Sequence, residues 1–293
     1  MAFIPSSSLV RSARLIGHTL LAAFIASTCS VAVADDAKGP LLSLGDSVVF
    51  GFIEENGYAY VNPDNFLGYP EIAGGALHLA TVNPSCPGET TASFLSVTGP
   101  DNGCRGYRAN FPLHVKYGGT QMEFARSYLG AHRDTRLVTL SLGANDGFLL
   151  QDACKGDLAC VKAGLPAALA AVYGNLNTIL GNLRASGLRG VLMVVNYYSL
   201  DYSDPVQTEL TVALNSTLAS AAAANGAIVA DAFTAFQKAA ANPWAAGNTC
   251  KAGLLNGGSS GPGTCDVHPS LTGQRLLAKT VQEAYRSARR VDD

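Results

Sequence analysis

The sequence predicts an α/β fold, a parallel sheet covered by helices on both faces, and three observations carry that reading. Short apolar runs rich in Val, Ile and Leu alternate along the chain with stretches of helical period. Hydrophobic residues make up 48% of the 293 residues and charged ones 14%, which supports a sizeable core and excludes a disordered chain. No internal repeat of about 20–50 residues and no low-complexity linker divides the sequence, so one domain is expected.

In chain order, the first segment reads as an export signal. It carries Arg11 and Arg14 but no acid, then an apolar run over residues 15–25 broken only by Gly17, His18 and Thr19, then Ala32-Val33-Ala34. Basic, apolar and small-residue blocks in that order make a secretory signal peptide, so cleavage is expected after Ala34, leaving a domain over 35–293 that is secreted or periplasmic. Cys29 raises a lipoprotein reading, but Thr28 stands where a small Gly or Ala is expected. The apolar run is shorter than the ~20 residues a bilayer crossing needs, and no stable membrane insertion is expected.

Beyond the signal, strands are expected at 41–44, 77–82, 137–142, Val191–Val195 and 227–229, each short enough to be buried. Helices are expected at 121–129, at Leu158–Ala185 with Pro166 near the first turn of its main helix, at 206–224, and over a closing segment 271–289.

Twenty basic residues against 22 acidic ones give a net charge of −2, and cleavage of the signal leaves 18 against 22. No basic excess is available for a phosphate backbone, so nucleic acid is not an expected partner. Cleavage also leaves six cysteines, and an even number in an exported chain favours disulfides. They fall into three local couples beside Gly-rich or polar loops: Cys86–Cys104, Cys154–Cys160 and Cys250–Cys265. No C-x-x-C and no His at ligand spacing accompanies them, which argues against zinc.

In open parallel sheets ligands bind beyond the carboxyl ends of the strands, so the residues following each apolar run are the candidates. Gly45-Asp46-Ser47 follows the first, Cys86-Pro87-Gly88-Glu89-Thr90 the second and Gly143-Ala144-Asn145-Asp146 the third; Asp266-Val267-His268-Pro269 precedes the last helix. Acyl transfer needs a nucleophile, a base and donors for the developing oxyanion. Ser47, His268 and the pair formed by the Gly88 N–H and the Asn145 amide are groups of those three kinds.

These four blocks, in this order from residue 41 to about 277, resemble the GDSL or SGNH hydrolases. The resemblance implies a three-layer α/β/α flavodoxin-like fold and a secreted carboxylic ester hydrolase. It implies that Ser47 is the nucleophile, that His268 is the base, and that Ser47 N–H, Gly88 and Asn145 form the oxyanion hole, with no metal or organic cofactor required. One position departs from the pattern. The family's Asp lies three residues before the His, where this chain has Cys265, and Asp266 lies only two before. Residues two apart in an extended strand sit nearly ~7 Å apart, so Asp266 needs a bend to reach the imidazole. The Cys265 carbonyl, held by a Cys250–Cys265 bridge, is the other acceptor for the ring N–H.

The remaining candidates have plainer readings. Gly257-Gly258-Ser259-Ser260-Gly261 fits G-x-S-x-G formally but lacks the required strand and helix. His78, His114 and His132 read as a strand, a loop and a helix-end histidine, Asp46 as a turn stabiliser, and Asp146 as a cap or an anchor of the Asn145 loop. Phe50, Phe52, Tyr58, Tyr60, Phe66 and Tyr69 either line a pocket or pack a long loop. Asn196-Tyr197-Tyr198-Ser199 is placed to form a pocket wall, and the Asn215-Ser216-Thr217 acceptor triplet falls inside a helix. No long amphipathic lid or exposed apolar helix stands out, which favours short- or medium-chain acyl esters as substrates. Acetylated glycans, lipids and phospholipids are the alternatives, and an envelope binding protein without turnover is the non-enzymatic one.

Overall fold

The computed structural model describes residues 39–54, 59–258 and 264–292. The expected export signal over 1–34, with Cys29, lies outside them, as does Tyr58. The elements run β1 (Pro40–Gly45), α1 (Ser47–Phe50), α2 (Tyr69–Leu77), β2 (Ala80–Val82), α3 (Thr91–Leu95), α4 (Cys104–Asn110) and α5 (Gln121–Ala131). There follow β3 (Leu137–Ser141), α6 (Ala144–Ala153), α7 (Leu158–Ala185), β4 (Val191–Val195), α8 (Pro205–Ala224), β5 (Ile228–Ala230) and α9 (Ala232–Ala240). The hairpin β6 (Leu255–Gly257) and β7 (Cys265–Pro269) precedes α10 (Leu271–Asp292).

The main sheet has five strands in the order β2-β1-β3-β4-β5, all parallel. Every residue of β1 and β3 is buried, as strands covered on both faces require. Helices α2, α9 and α10 pack together on one face, and α5, α7 and α8 form the other layer. The chain leaves β1 toward β2, then returns to place β3 on the opposite side of β1, so the strand order reverses between β1 and β3. That reversal opens a crevice at the strand ends. The pairing of Gly45 with Ser141 sets the turns after β1 and β3 at one height.

Two expectations need correction. The second strand is only Ala80–Val82, because residues 69–77 form α2 and His78 closes it with a left-handed φ of 56°. The Gly74-Gly75 pair masks this helix in the sequence; the Glu71 carboxylate accepting the Gly68 N–H at 3.1 Å secures its start. Pro166 lies in the interior of α7, whose true start is fixed by Asp157 accepting the Cys160 N–H at 2.8 Å.

Candidate active site

Gly45 ends β1 at φ 144°, and a Cβ there would lie 2.1 Å from the Ser141 carbonyl oxygen, so only glycine fits. The Gln121 side chain grips the same residue twice: its Oε1 accepts the Gly45 N–H at 2.7 Å, and its Nε2 donates to the Gly45 carbonyl at 3.0 Å. Asp46 then caps α1, accepting the Val48 N–H at 3.0 Å, which leaves Ser47 on the first turn. The expected turn-stabilising role of Asp46 is what the geometry shows. Burial raises the Asp46 carboxyl to about 6, opposed by hydrogen bonds from the Tyr197 hydroxyl, at 2.5 Å, and from Val48. Burial and the Asp46 charge push the Tyr197 phenol well above its ordinary value, so it remains a donor. Tyr197 itself is pinned by Asn215, whose amide pairs with both its N–H (2.9 Å) and its carbonyl (2.7 Å). The side chain of the Asn215-Ser216-Thr217 triplet is thus engaged inside the fold.

The β6–β7 hairpin carries His268 to the tip of β1, where its Nε2 lies 2.9 Å from the Ser47 hydroxyl oxygen across 221 residues of sequence. The other ring nitrogen, Nδ1, lies 3.3 Å from Asp266 Oδ1. The chain supplies the bend the sequence required: Asp266 turns back so that Oδ1 also accepts the His268 main-chain N–H, while Oδ2 accepts the Glu54 N–H at 3.4 Å. Nδ1 and Oδ1 are close but out of line for a hydrogen bond, and among the described residues Nδ1 has no aligned acceptor. The ring of Phe52 meets His268 edge-on at 5.0 Å between centroids.

Gly88 and Asn145 meet through a residue the sequence reading did not single out. The Asn102 main-chain N–H donates to the Gly88 carbonyl at 2.9 Å, and its side-chain Nδ2 donates to Asn145 Oδ1 at 2.8 Å. Gly88 has φ 83°, and a Cβ on it would lie 2.2 Å from the Asn102 carbonyl oxygen. The Asn145 amide donates one of its two protons to the Glu89 carbonyl at 2.9 Å. Its oxygen is occupied, so its remaining free group is an N–H. Asp146 anchors this loop as expected, accepting from the Thr91 N–H at 3.0 Å and the Thr91 hydroxyl at 2.6 Å. Neither Asn102 nor Gln121 belongs to a motif; only their long-range partners reveal them.

All three expected cysteine couples are disulfides: Cys86–Cys104, Cys154–Cys160 and Cys250–Cys265. Glu89 lies beside the first, but sulfurs bonded to each other offer no thiolate to a metal. His132 ends α5 as expected, stacked on Tyr128, and His114 packs on Phe50 with its Nε2 at 3.0 Å from the Phe50 carbonyl. Phe50, Phe52, Tyr60 and Phe66 form a separate aromatic cluster with Tyr107, Phe52 also meeting His268, and Tyr69 is buried in the main core at the start of α2, so these aromatics pack the fold; Tyr58 lies outside the described residues. A strand, β6, does precede the G-x-S-x-G segment, but the chain returns as the antiparallel β7 and no helix follows; residues 259–263 lie outside the described set.

Ser47, Asn145 and His268 open onto a cavity of about 430 Å³ bounded by α6, α7 and α8, with Tyr197 and Tyr198 in its wall. The wall role expected of the segment after β4 is therefore observed. Contrary to the sequence reading, an apolar helix does flank the site: α7 lines the cavity, while Leu158 at its start is 43% exposed.

Residues 43–276 match the model of the GDSL-like lipase/acylhydrolase family. The chain belongs to this family. It is a serine ester hydrolase. No curated protein matches it in sequence. Among solved structures, phospholipase A1 from Streptomyces albidoflavus NA297 is similar at 19% identity and TM-score 0.55, covering 85% of this chain and 100% of that one. An acetylxylan esterase from Geobacillus stearothermophilus is similar at 15% identity and TM-score 0.51, covering 85% and 95%. An α/β hydrolase from the metagenome of Lake Arreo, Spain, gives 15%, 0.53, 85% and 95%. At these identities the likeness establishes the fold of this GDSL hydrolase, with its parallel sheet and flanking helices.

Proposed function

We propose that this GDSL hydrolase is an exported enzyme that cleaves short- or medium-chain carboxylic esters through an acyl-enzyme on Ser47. The observation that carries the proposal is the 2.9 Å contact between His268 Nε2 and the Ser47 hydroxyl. His268 takes the Ser47 proton as the hydroxyl oxygen bonds to the ester carbon, and the former carbonyl oxygen becomes an oxyanion. Ser47 N–H, Gly88 N–H and the free Asn145 N–H are its donors; among the described residues the two main-chain groups donate to no protein acceptor. His268 then protonates the departing alcohol, and water, deprotonated by His268, releases the acid and restores Ser47. Asp266 stabilises the imidazolium by its charge at 3.3 Å, and its contact tightens as that positive charge forms. Asn102 is a positioning residue, because together with the Glu89 carbonyl it decides which end of the Asn145 amide is free.

Three disulfides support export to an oxidising compartment. The test is hydrolysis of p-nitrophenyl acetate and butyrate by the mature protein beside Ser47→Ala. The wild type is expected to turn over both, and equal rates for the two proteins would reject the proposal.

A further inference from the structure

We infer that the cavity between α6, α7 and α8 binds the acyl part of the substrate, and that the preferred esters are those of fatty acids of about 8–12 carbons. The inference rests on the esterase reading above and deepens it. The cavity is chemically two-ended. Ser47, Asn145 and His268 stand at one end, and the remaining walls are mainly aliphatic side chains of α7 and α8.

The fold makes this space by letting two helices overrun the sheet. A Cβ on Gly143, just after β3, would lie 3.3 Å from Leu214 and 3.5 Å from Val172, so these two residues mark where α8 and α7 close together near the strand ends. From Val172 back to Leu158, α7 continues for about 21 Å at ~1.5 Å per residue. Leu165, Ala168 and Leu169 line the cavity along that length, with Leu210 on α8. The Cys154–Cys160 bridge ties the end of α6 to the first turn of α7 and so holds this wall in place.

The occupant follows from charge and volume. Among the described residues no Lys or Arg lines the cavity, and its two acids are already engaged, Asp46 by Tyr197 and Val48, Asp146 by Thr91; away from the Ser47 end the neutral polar side chains are Gln151, Gln207 and Thr211, the last donating to the Gln207 carbonyl. A sugar ring would leave most of its hydroxyls unpaired against walls that are mainly aliphatic. An alkyl chain brings no polar group that needs a partner. Taking a methylene as about the ~30 Å³ share of a liquid water molecule, the 430 Å³ space holds on the order of a dozen carbons together with the reacting ester group. Each methylene removed from water favours binding about fourfold, so kcat/KM is expected to climb by roughly an order of magnitude per two carbons until the cavity is full.

The experiment is a series of p-nitrophenyl esters (acetate, butyrate, octanoate, decanoate, palmitate) below their aggregation limits, with wild type, Ala168→Trp and Leu210→Trp. The wild-type profile is expected to peak at octanoate or decanoate. Either variant is expected to lower the decanoate-to-acetate ratio of kcat/KM at least tenfold. A wild-type peak at acetate or butyrate, which needs no variant to observe, would overturn the inference, as would an unchanged ratio in both variants. Hydrolysis of none of the esters would instead overturn the esterase reading beneath it.

Discussion

Asn102 controls a choice that the Asn145 amide cannot make alone. With Asn102 donating to Oδ1 and the Glu89 carbonyl accepting from Nδ2, the end of Asn145 left for an oxyanion is an N–H; without Asn102 only the Glu89 bond opposes rotation of the amide to present an oxygen, which repels the developing charge. Asn102→Ala is therefore expected to lower kcat at least tenfold, toward the ~10²–10³-fold cost of losing one oxyanion donor, with KM little changed. In an Asn145→Ala background the same substitution is expected to do nothing more, whereas additive losses would assign Asn102 a merely structural role. Asp266→Asn is the second test at this scale. The 3.3 Å contact predicts a fall in kcat/KM of at least about 100-fold, toward the ~10⁴-fold loss of an aligned triad. A loss under tenfold would hand the orienting role to a main-chain carbonyl. Ser47, Gly88, Asn145 and His268 stand out in the sequence because their four blocks come in a set order at the strand ends and before the last helix; Asn102 does not, because its role exists only where two loops meet.

At the scale of elements, the Cys86–Cys104 bridge joins the loop bearing Gly88 to the loop bearing Asn102, closing 18 residues of chain. The paired change Cys86→Ser with Cys104→Ser is expected to reduce unfolding free energy by about 3 kcal/mol in urea titration and to lower kcat with it. Unchanged kcat would separate the bridge from the donors. Val191–Val195 and Leu158–Ala185 stand where the sequence placed them, since a long or wholly apolar pattern survives any tertiary context. Residues 77–79 belong to an apolar run that reads as strand, while the capping that ends α2 there depends on contacts three to five residues back. α3 and α4, at five and seven residues, are too short for periodicity to register and are held by caps and a disulfide instead.

The whole molecule carries an acid-side bias in stability. Burial raises Glu89 to about 7, opposed by hydrogen bonds from Ser93 and Gln121, and Asp46 to about 6; it also raises Asp146. Carboxyls raised by folding bind protons more tightly in the native state, so their contribution is full below about pH 4 and is lost as the pH climbs through 6 and 7. Asp201 and Asp231 are lowered by hydrogen bonds and act in the opposite sense, but only in the acid range below the ordinary carboxylate value. Urea unfolding is therefore expected to require more denaturant at pH 5 than at pH 8. Glu89→Gln is expected to remove part of that difference, up to about 3 kcal/mol. An equal pH dependence in wild type and variant would show that Glu89 titrates as a solvated group.

The turn after β1 and the β6–β7 hairpin bring a hydroxyl from near one end of the chain to an imidazole from near the other, and covalent trapping interrogates that junction directly. The mature protein is treated with a p-nitrophenyl alkylphosphonate, and the modified peptide is identified by mass spectrometry. One phosphonyl group per chain on Ser47, with labelling at least 100-fold slower in His268→Ala, is the expected result. Labelling of any other residue, or labelling of Ser47 at the same rate without the imidazole, would contradict it.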